Sequence, residues 1–393
     1  MGQPDSAVVC VLLDYLKWIR MDATKVGRKT LLSVIACSLV QVCVGQQGTL
    51  PARAVPGQQG LVSGELVYPL DQKPAAQCHA STLIETRDGL MCAFFSGTHE
   101  GNRDVGIRVA HYKDGKWSWP VEVVNGWVSD SVKHPTWNPV LFRPEGGPIY
   151  LFFKVGSEID DWWGAYTTTS DEGRTWTKPV VMGRHEQVGH LLGPVKNKAI
   201  QLADGTLISP TSLERKGTPN GRDWRIYFEI SKDNGKTWRV IPPINDGVEY
   251  DAIQPSILVH KNGDLQIIAR TRQDVLVTSW SKDKGETWSE LESTGLPNPD
   301  AGTDAVTLKD GRHLLVYNHS TKQGAEPKDR NILNIAISAD GRKWKTVTTL
   351  ENEPIWAGYS YPAVIQTADG MVHITYTYAR QSIKHVIIDP SRL

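Results

Sequence analysis

The chain is short of several things, and each shortage narrows what it can be. Only five of its 393 residues are cysteine, and Cys10, Cys37 and Cys43 all fall before residue 45. Cys78 and Cys92 remain, too few for a disulfide scaffold; they flank an expected hairpin, so one bond between them is left open. The formal net charge is +0, which argues against a nucleic-acid partner. There is no Gly-rich phosphate loop and no Gly-x-Ser-x-Gly nucleophile elbow. No apolar run beyond residue 45 is long enough to cross a membrane. His79, His99 and His134 are the histidines that could gather round an ion, but no ligand spacing supports a site. Neither a metal nor a cofactor is expected.

Near the start, Met21 opens a stretch in which Lys25, Arg28 and Lys29 precede an apolar run from Leu31 to Val44. Small residues follow at Cys43-Val-Gly45. This layout predicts a signal peptide over about 21–45, translation starting at Met21, and a secreted or periplasmic product. Val34-Ile-Ala-Cys37 leaves lipoprotein anchoring open, and a membrane anchor is an option for which the run is short. Residues 1–45 thus read as an upstream extension plus signal, 46–60 as a flexible N-terminus, and 61–393 as one domain.

What is abundant is tryptophan, fourteen against six phenylalanines, and five of the tryptophans end a recurring box. Full copies are Thr169–Trp176 (TSDEGRTW), Ser231–Trp238 (SKDNGKTW) and Ser281–Trp288 (SKDKGETW). Shortened copies are Ser338–Trp344 and Tyr112–Trp117. The box needs Asp to accept hydrogen bonds from the turn's backbone, Gly for a left-handed residue, and Trp to plug the gap to the next sheet. Such a box staples a turn and carries no chemistry.

Each box closes a unit that opens with a polar residue and a short apolar strand before an Asx-Gly or Glu-Gly turn. The unit is clearest in Gln254–Trp288, where Asn262-Gly263 joins two apolar runs as a hairpin. Six first strands can be counted, starting at His79, Asn138, Asn197, Gln254, Asp304 and Tyr361. Six strand-rich units of about 50 residues predict an all-β, six-bladed β-propeller. The last unit lacks a box, so Gly64–Leu70 (GELVYPL) is free to complete its sheet and close the ring.

In a propeller the innermost strands begin at one mouth, which predicts a polar opening lined by those six residues. Loops at the same end are expected to add His99, Glu100, Asp104, His134, Lys154, Trp162, Trp163, Arg270, Arg272, Arg330 and Tyr359. Lys196, within GPVKNK, is counted with the binding residues. Arginines, which pair bidentately with carboxylate, and aromatic platforms suit a glycan carrying a carboxylated sugar.

The boxes resemble the Asp-boxes, or BNR repeats, of the sialidase (neuraminidase) superfamily. Stretches such as CHASTL, GTHEGNRDVGI, HPTWNPVLF, QPSIL and YSYPAVIQTADG are similar to those of bacterial sialidase-like proteins. The resemblance covers about residues 60–393. It implies a six-bladed propeller, three arginines on the substrate carboxylate, an Asp acid, and a Tyr nucleophile activated by a Glu. On the matching segments Tyr359 is the implied nucleophile, Arg270 and Arg330 the second and third arginines, and Asp104 the acid. Two positions depart. His79-Ala-Ser replaces the N-terminal Arg-Ile-Pro motif, with His79 able to supply a third contact if protonated. Gln254 stands where the glutamate is expected, and an amide cannot take the tyrosine's proton.

The leading expectation is therefore a secreted glycosidase of sialidase type acting on a terminal acidic sugar. The departures keep two alternatives open. One is a uronate-specific lyase using His79 and His99 for β-elimination, similar to some propeller-fold polysaccharide lyases. The other is a glycan-binding propeller without catalysis.

Overall fold

The structure, a computed structural model, describes residues 50–216, 222–322 and 329–393. The expected signal segment lies outside these residues. Among them no helix is long and apolar enough to cross a membrane.

The described residues form six blade sheets in ring order, each an antiparallel meander whose first strand is innermost, and a separate two-stranded ribbon pairing Arg184–His185 with Gly189–His190. The inner strands are Gln77–Thr86, Thr136–Phe142, Ile200–Gln201, Ala252–Val259, Asp304–Thr307 and Tyr359–Gln366. The fold is the six-bladed β-propeller expected from the repeat. Ring closure also follows expectation: Leu61–Leu66 pairs antiparallel with Ser382–Ile388 as the outermost strand of the sixth blade.

Both faces of each blade are covered, so the strands read as continuous apolar runs rather than alternating ones. The core is accordingly split into wedges between neighbours. Phe95, Ile107, Leu151 and Phe153 fill the wedge between the first and second blades. Phe228, Ile257 and Ile267 fill that between the third and fourth, and Leu314, Ile335, Val364 and Ile374 that between the fifth and sixth.

The boxes sit at the outer turns with matching geometry. In the third blade Ser231 Oγ donates to Asp233 at 2.8 Å, and Gly235 N donates back to Ser231 Oγ at 2.8 Å. Thr237 donates to the same carboxylate through N and Oγ1, at 2.9 and 2.6 Å. Ser281, Asp283 and Thr287 repeat this pattern in the fourth blade. The tryptophan packs backward, onto the preceding blade rather than the next. Trp288 of the fourth blade stacks on Phe228 of the third, 4.5 Å between centroids and 12° between planes. Gly285, at φ +88°, approaches Ile208 of that blade so closely that an added Cβ would lie 3.0 Å from it.

The inner strands are not regular. Four carry a bulge at the same level, where Ala80-Ser81, Asn138-Pro139, Gln254-Pro255 and Tyr361-Pro362 interrupt the register. The first residue of each pair has positive φ: +57°, +37°, +56° and +54°. Left-handed geometry in a residue with a Cβ is strained. Bulges re-aim side chains near functional sites, and proline fits there because its missing N–H takes no ladder bond. Cys78 and Cys92 are both buried free thiols. Cys78 pairs in register with Ser96, and Cys92 with Leu83.

Candidate active site

The bulges open into a cavity of about 660 Å³ at the strand starts. Its floor holds Asn138, Gln254 and Tyr361, the bulge residues of the second, fourth and sixth blades. Its walls come from the ends of second strands and from loops: Glu214, Arg270, Arg272, Asp300, Lys322, Arg330 and Arg380. Trp137, Trp162 and Trp224 supply flat apolar surface. The first two meet edge-on at 6.0 Å, and the Arg270 guanidinium lies 4.8 Å from the Trp224 centroid.

Arg270 is buried and central. One terminal nitrogen donates to the Tyr361 hydroxyl at 3.0 Å; the other donates to the Asp300 carbonyl at 2.7 Å and lies 3.3 Å from its carboxylate. Burial works against its charge, but Tyr361, Glu214 and Asp300 outweigh burial and raise its pKa. Arg330 lies 5.9 Å from the Tyr361 ring and 3.7 Å from the same Asp300. Its pKa is lowered, first by burial and then by the charges of Arg270 and Arg380. Arg380, on the tight turn between the second and third strands of the sixth blade, pairs with Glu100 across to the first blade. Three guanidiniums therefore converge, and like-charge crowding of this kind is relieved by a bound anion.

Several residues expected at the mouth lie elsewhere. Tyr359 is buried outside the cavity; its hydroxyl donates to the Glu353 carbonyl at 3.1 Å, and its ring packs against Tyr376 and Tyr378. Burial pushes its pKa well up. The tyrosine facing the cavity is Tyr361, because the bulge turns the residue two positions on toward the axis. His79 is buried beneath Tyr361, ring to ring at 4.2 Å, with Nδ1 2.9 Å from Thr377 Oγ1. Burial first, then Arg380, Arg330, Arg270 and Lys196, hold its pKa well below the ordinary histidine value. Lying beneath Tyr361, it does not line the cavity. The third arginine at the cavity beside Arg270 and Arg330 is Arg380, missed in the sequence because it sits on a turn with no motif.

His99 is exposed on the loop between Gly89–Gly97 and Gly106–Lys113, with Nδ1 3.0 Å from the Glu100 carbonyl oxygen. Asp104 braces the same loop by accepting from Thr98 N and Oγ1, at 2.9 and 2.7 Å. His134 stacks edge-on against Trp163 at 5.7 Å. None of these three lines the cavity, whereas Glu100 does. Lys196, Asn197 and Asp304 lie below the floor as braces. Lys196 Nζ donates to Asn197 Oδ1 at 2.8 Å, to the Pro362 carbonyl at 2.6 Å, and to the Thr303 carbonyl. Burial pulls its pKa down to about 7, against the opposing charge of Asp304. Asp304, in the fifth blade, accepts from Lys198, Ser256 and the Val364 amide, tying the third, fourth and sixth blades to its own. Lys154, another expected mouth residue, is buried and donates to the Pro194 carbonyl. No group of three or more metal-ligating side chains occurs among the described residues.

A cavity of arginines, tryptophans and one inward tyrosine on a six-bladed ring can be set beside known proteins. The BNR repeat-like domain matches residues 88–374. The chain belongs to this BNR-repeat family. No curated protein sequence matches it. Among solved structures, the BNR-repeat protein is similar to the Hadza microbial sialidase Hz136 at 19% identity and a TM-score of 0.68, over 84% of this chain and 69% of that one. It is similar to a protein of unknown function from Dyadobacter fermentans DSM 18053 at 17% identity and a TM-score of 0.68, over 83% and 98%. It also resembles the intramolecular trans-sialidase from Ruminococcus gnavus, solved with oseltamivir carboxylate, at 16% identity and a TM-score of 0.62, over 80% and 95%. At such identities these likenesses show the fold, a sialidase-like propeller.

Proposed function

We propose that this BNR-repeat protein is a glycosidase that cleaves the bond of a terminal carboxylated sugar. The supporting observation is the convergence of Arg270, Arg330 and Arg380 on one cavity with the Tyr361 hydroxyl 3.0 Å from Arg270. The guanidiniums hold the carboxylate by charge-assisted hydrogen bonds. That grip sets the anomeric carbon against the Tyr361 oxygen, while the tryptophans cover the apolar faces of the sugar. The tyrosine oxygen bonds to the anomeric carbon as the aglycone oxygen leaves, and water then releases the sugar and restores the phenol. Gln254 cannot accept the phenol proton. Glu214, which lines the same cavity and acts with Tyr361 on the Arg270 charge, takes that role. The leaving oxygen is protonated at the rim, where Glu100 and Glu158 stand.

The test is incubation with fluorogenic sialosides and uronides, following released sugar and absorbance near 235 nm together. Released acidic sugar, lost in Tyr361→Phe, is expected. Full turnover by that variant, or an unsaturated product absorbing near 235 nm, would sink the reading. The β-elimination alternative has less support, because neither His79 nor His99 lines the cavity. A second reading, a glycan-binding propeller without turnover, is favoured by the amide at Gln254, and binding of an unconsumed sugar would establish it.

A further inference from the structure

Gln254 presents a mismatch that the catalytic reading leaves unused. Its side chain lines the cavity and is 1% exposed, yet neither Oε1 nor Nε2 has a hydrogen-bond partner within the protein. Its backbone is engaged at both ends: N donates to Ser212 Oγ at 2.7 Å, and the carbonyl accepts from Asn197 Nδ2 at 2.8 Å. These bonds hold the backbone at φ +56°, while both polar atoms of the side chain remain unmatched. Leaving one buried donor or acceptor unsatisfied costs about 1–3 kcal/mol, and native proteins rarely tolerate it without a reason.

The chemistry of the missing partner follows from the amide. A carboxylate accepts only: it would suit Nε2 and repel Oε1. A cation would do the reverse. A group that both donates and accepts, a hydroxyl or an acylamino group, satisfies both atoms. We propose that Gln254 is a specificity-determining residue that binds a neutral hydroxyl or acylamino substituent of the acidic sugar. This inference rests on the acidic-sugar reading above. It divides the cavity into two parts, a charged wall for the carboxylate and a neutral floor for the substituents. Sites built to hydrogen-bond a substrate group discriminate strongly against analogues lacking it, because their own polar atoms are then left unpaired.

The test uses the whole protein and three probes, N-acetylneuraminate, D-glucuronate and acetate, with binding followed by calorimetry or ligand-observed NMR. Acetate carries a carboxylate and no neutral substituent. Gln254→Met keeps the length and removes the hydrogen bonds. It is expected to weaken the better-bound sugar acid at least about tenfold and to leave acetate unchanged. Gln254→Glu is expected to weaken the sugar acids and not to raise turnover. An unchanged sugar-acid affinity in Gln254→Met would overturn the inference, as would an equal loss for acetate, which would mean that the arginine wall had moved. Gain of turnover in Gln254→Glu would also overturn it by making the position a vacant base. If the wild-type protein binds neither sugar acid, the acidic-sugar reading falls and the inference falls with it. If it binds them and Gln254→Met binds them equally, the inference alone falls.

Discussion

Tyr359 and Tyr361 stand two positions apart on one strand, and in a regular strand both would face the same side. The bulge at Tyr361-Pro362 breaks that alternation: Tyr361 reaches the cavity, while Tyr359 stays in the wedge with its hydroxyl on the Glu353 carbonyl. Two variants separate their roles. Tyr361→Phe is expected to lower kcat by about 10³-fold or more, as for loss of a group that acts in the chemical step, and also to lose about 1 kcal/mol of stability with the hydrogen bond from Arg270. Tyr359→Phe is expected to keep kcat and lose about 1 kcal/mol of stability, one buried hydrogen bond, read by denaturant titration. The opposite pattern would return the nucleophile to Tyr359. Glu214→Gln is expected to lower kcat by about 10²-fold or more with little change in KM, the range of a lost general base; an unchanged kcat would remove it from the mechanism. At this scale the sequence was only partly legible. Arg270 and Arg330 could be placed because the segments they end or precede resemble those that carry the family's second and third arginines. Arg380 sits on a tight turn with no motif. The inward turn of Tyr361 depends on a backbone bulge whose one trace in the sequence is the proline after each floor residue.

The Asp-box is local, and so it could be read in full from the chain. Every bond in it joins residues at most four apart, and the aspartate replaces the backbone partners that the turn lacks. What could not be read was its direction, because packing on the preceding blade is a property of two sheets. The boxes also give these elements a pH dependence. Hydrogen bonds from Thr237 first, then from Ser231, hold the Asp233 carboxyl down to about 2, against an ordinary value of 3.8. Asp171 and Asp283 are lowered by the same kind of contacts. A carboxyl with a depressed folded pKa contributes stability that is fully present above about pH 4 and is lost as pH falls through about 2. Thermal melts across pH 2 to 5 are therefore expected to fall steeply at the acid end. Asp233→Asn should be less stable at pH 5 and should show a shallower fall. Parallel curves for the two proteins would mean that the box carboxylate does not set the acid limit.

The cavity depends on all six blades, because every blade lines it, the third through Glu214 and the fifth through Arg330, and the Arg380–Glu100 pair spans the join between last and first. That join is held by a strand from the far end of the sequence. Leu61 packs in the wedge between the fifth and sixth blades, while Val67 and Tyr68 pack with Cys78 and Leu83 in the wedge between the sixth and first. The segment thus fastens both flanks of the closing blade. Burying a Leu, Val or aromatic side chain contributes about 1.5–3 kcal/mol each, so these three together supply about 5–9 kcal/mol. A whole domain retains about 5–15 kcal/mol. A chain beginning at Lys73 also leaves Ser382–Ile388 as an open apolar edge, the kind of strand that pairs with other molecules. It is expected to melt at least about 10 °C lower or to aggregate, and to lose sugar-acid binding even though no cavity residue is removed. A synthetic peptide covering 61–70, added in trans, should restore part of both. If the truncated chain kept the melting temperature and affinity of the longer one, the ring would be closed by its blade wedges alone, and the terminal strand would be a surface addition.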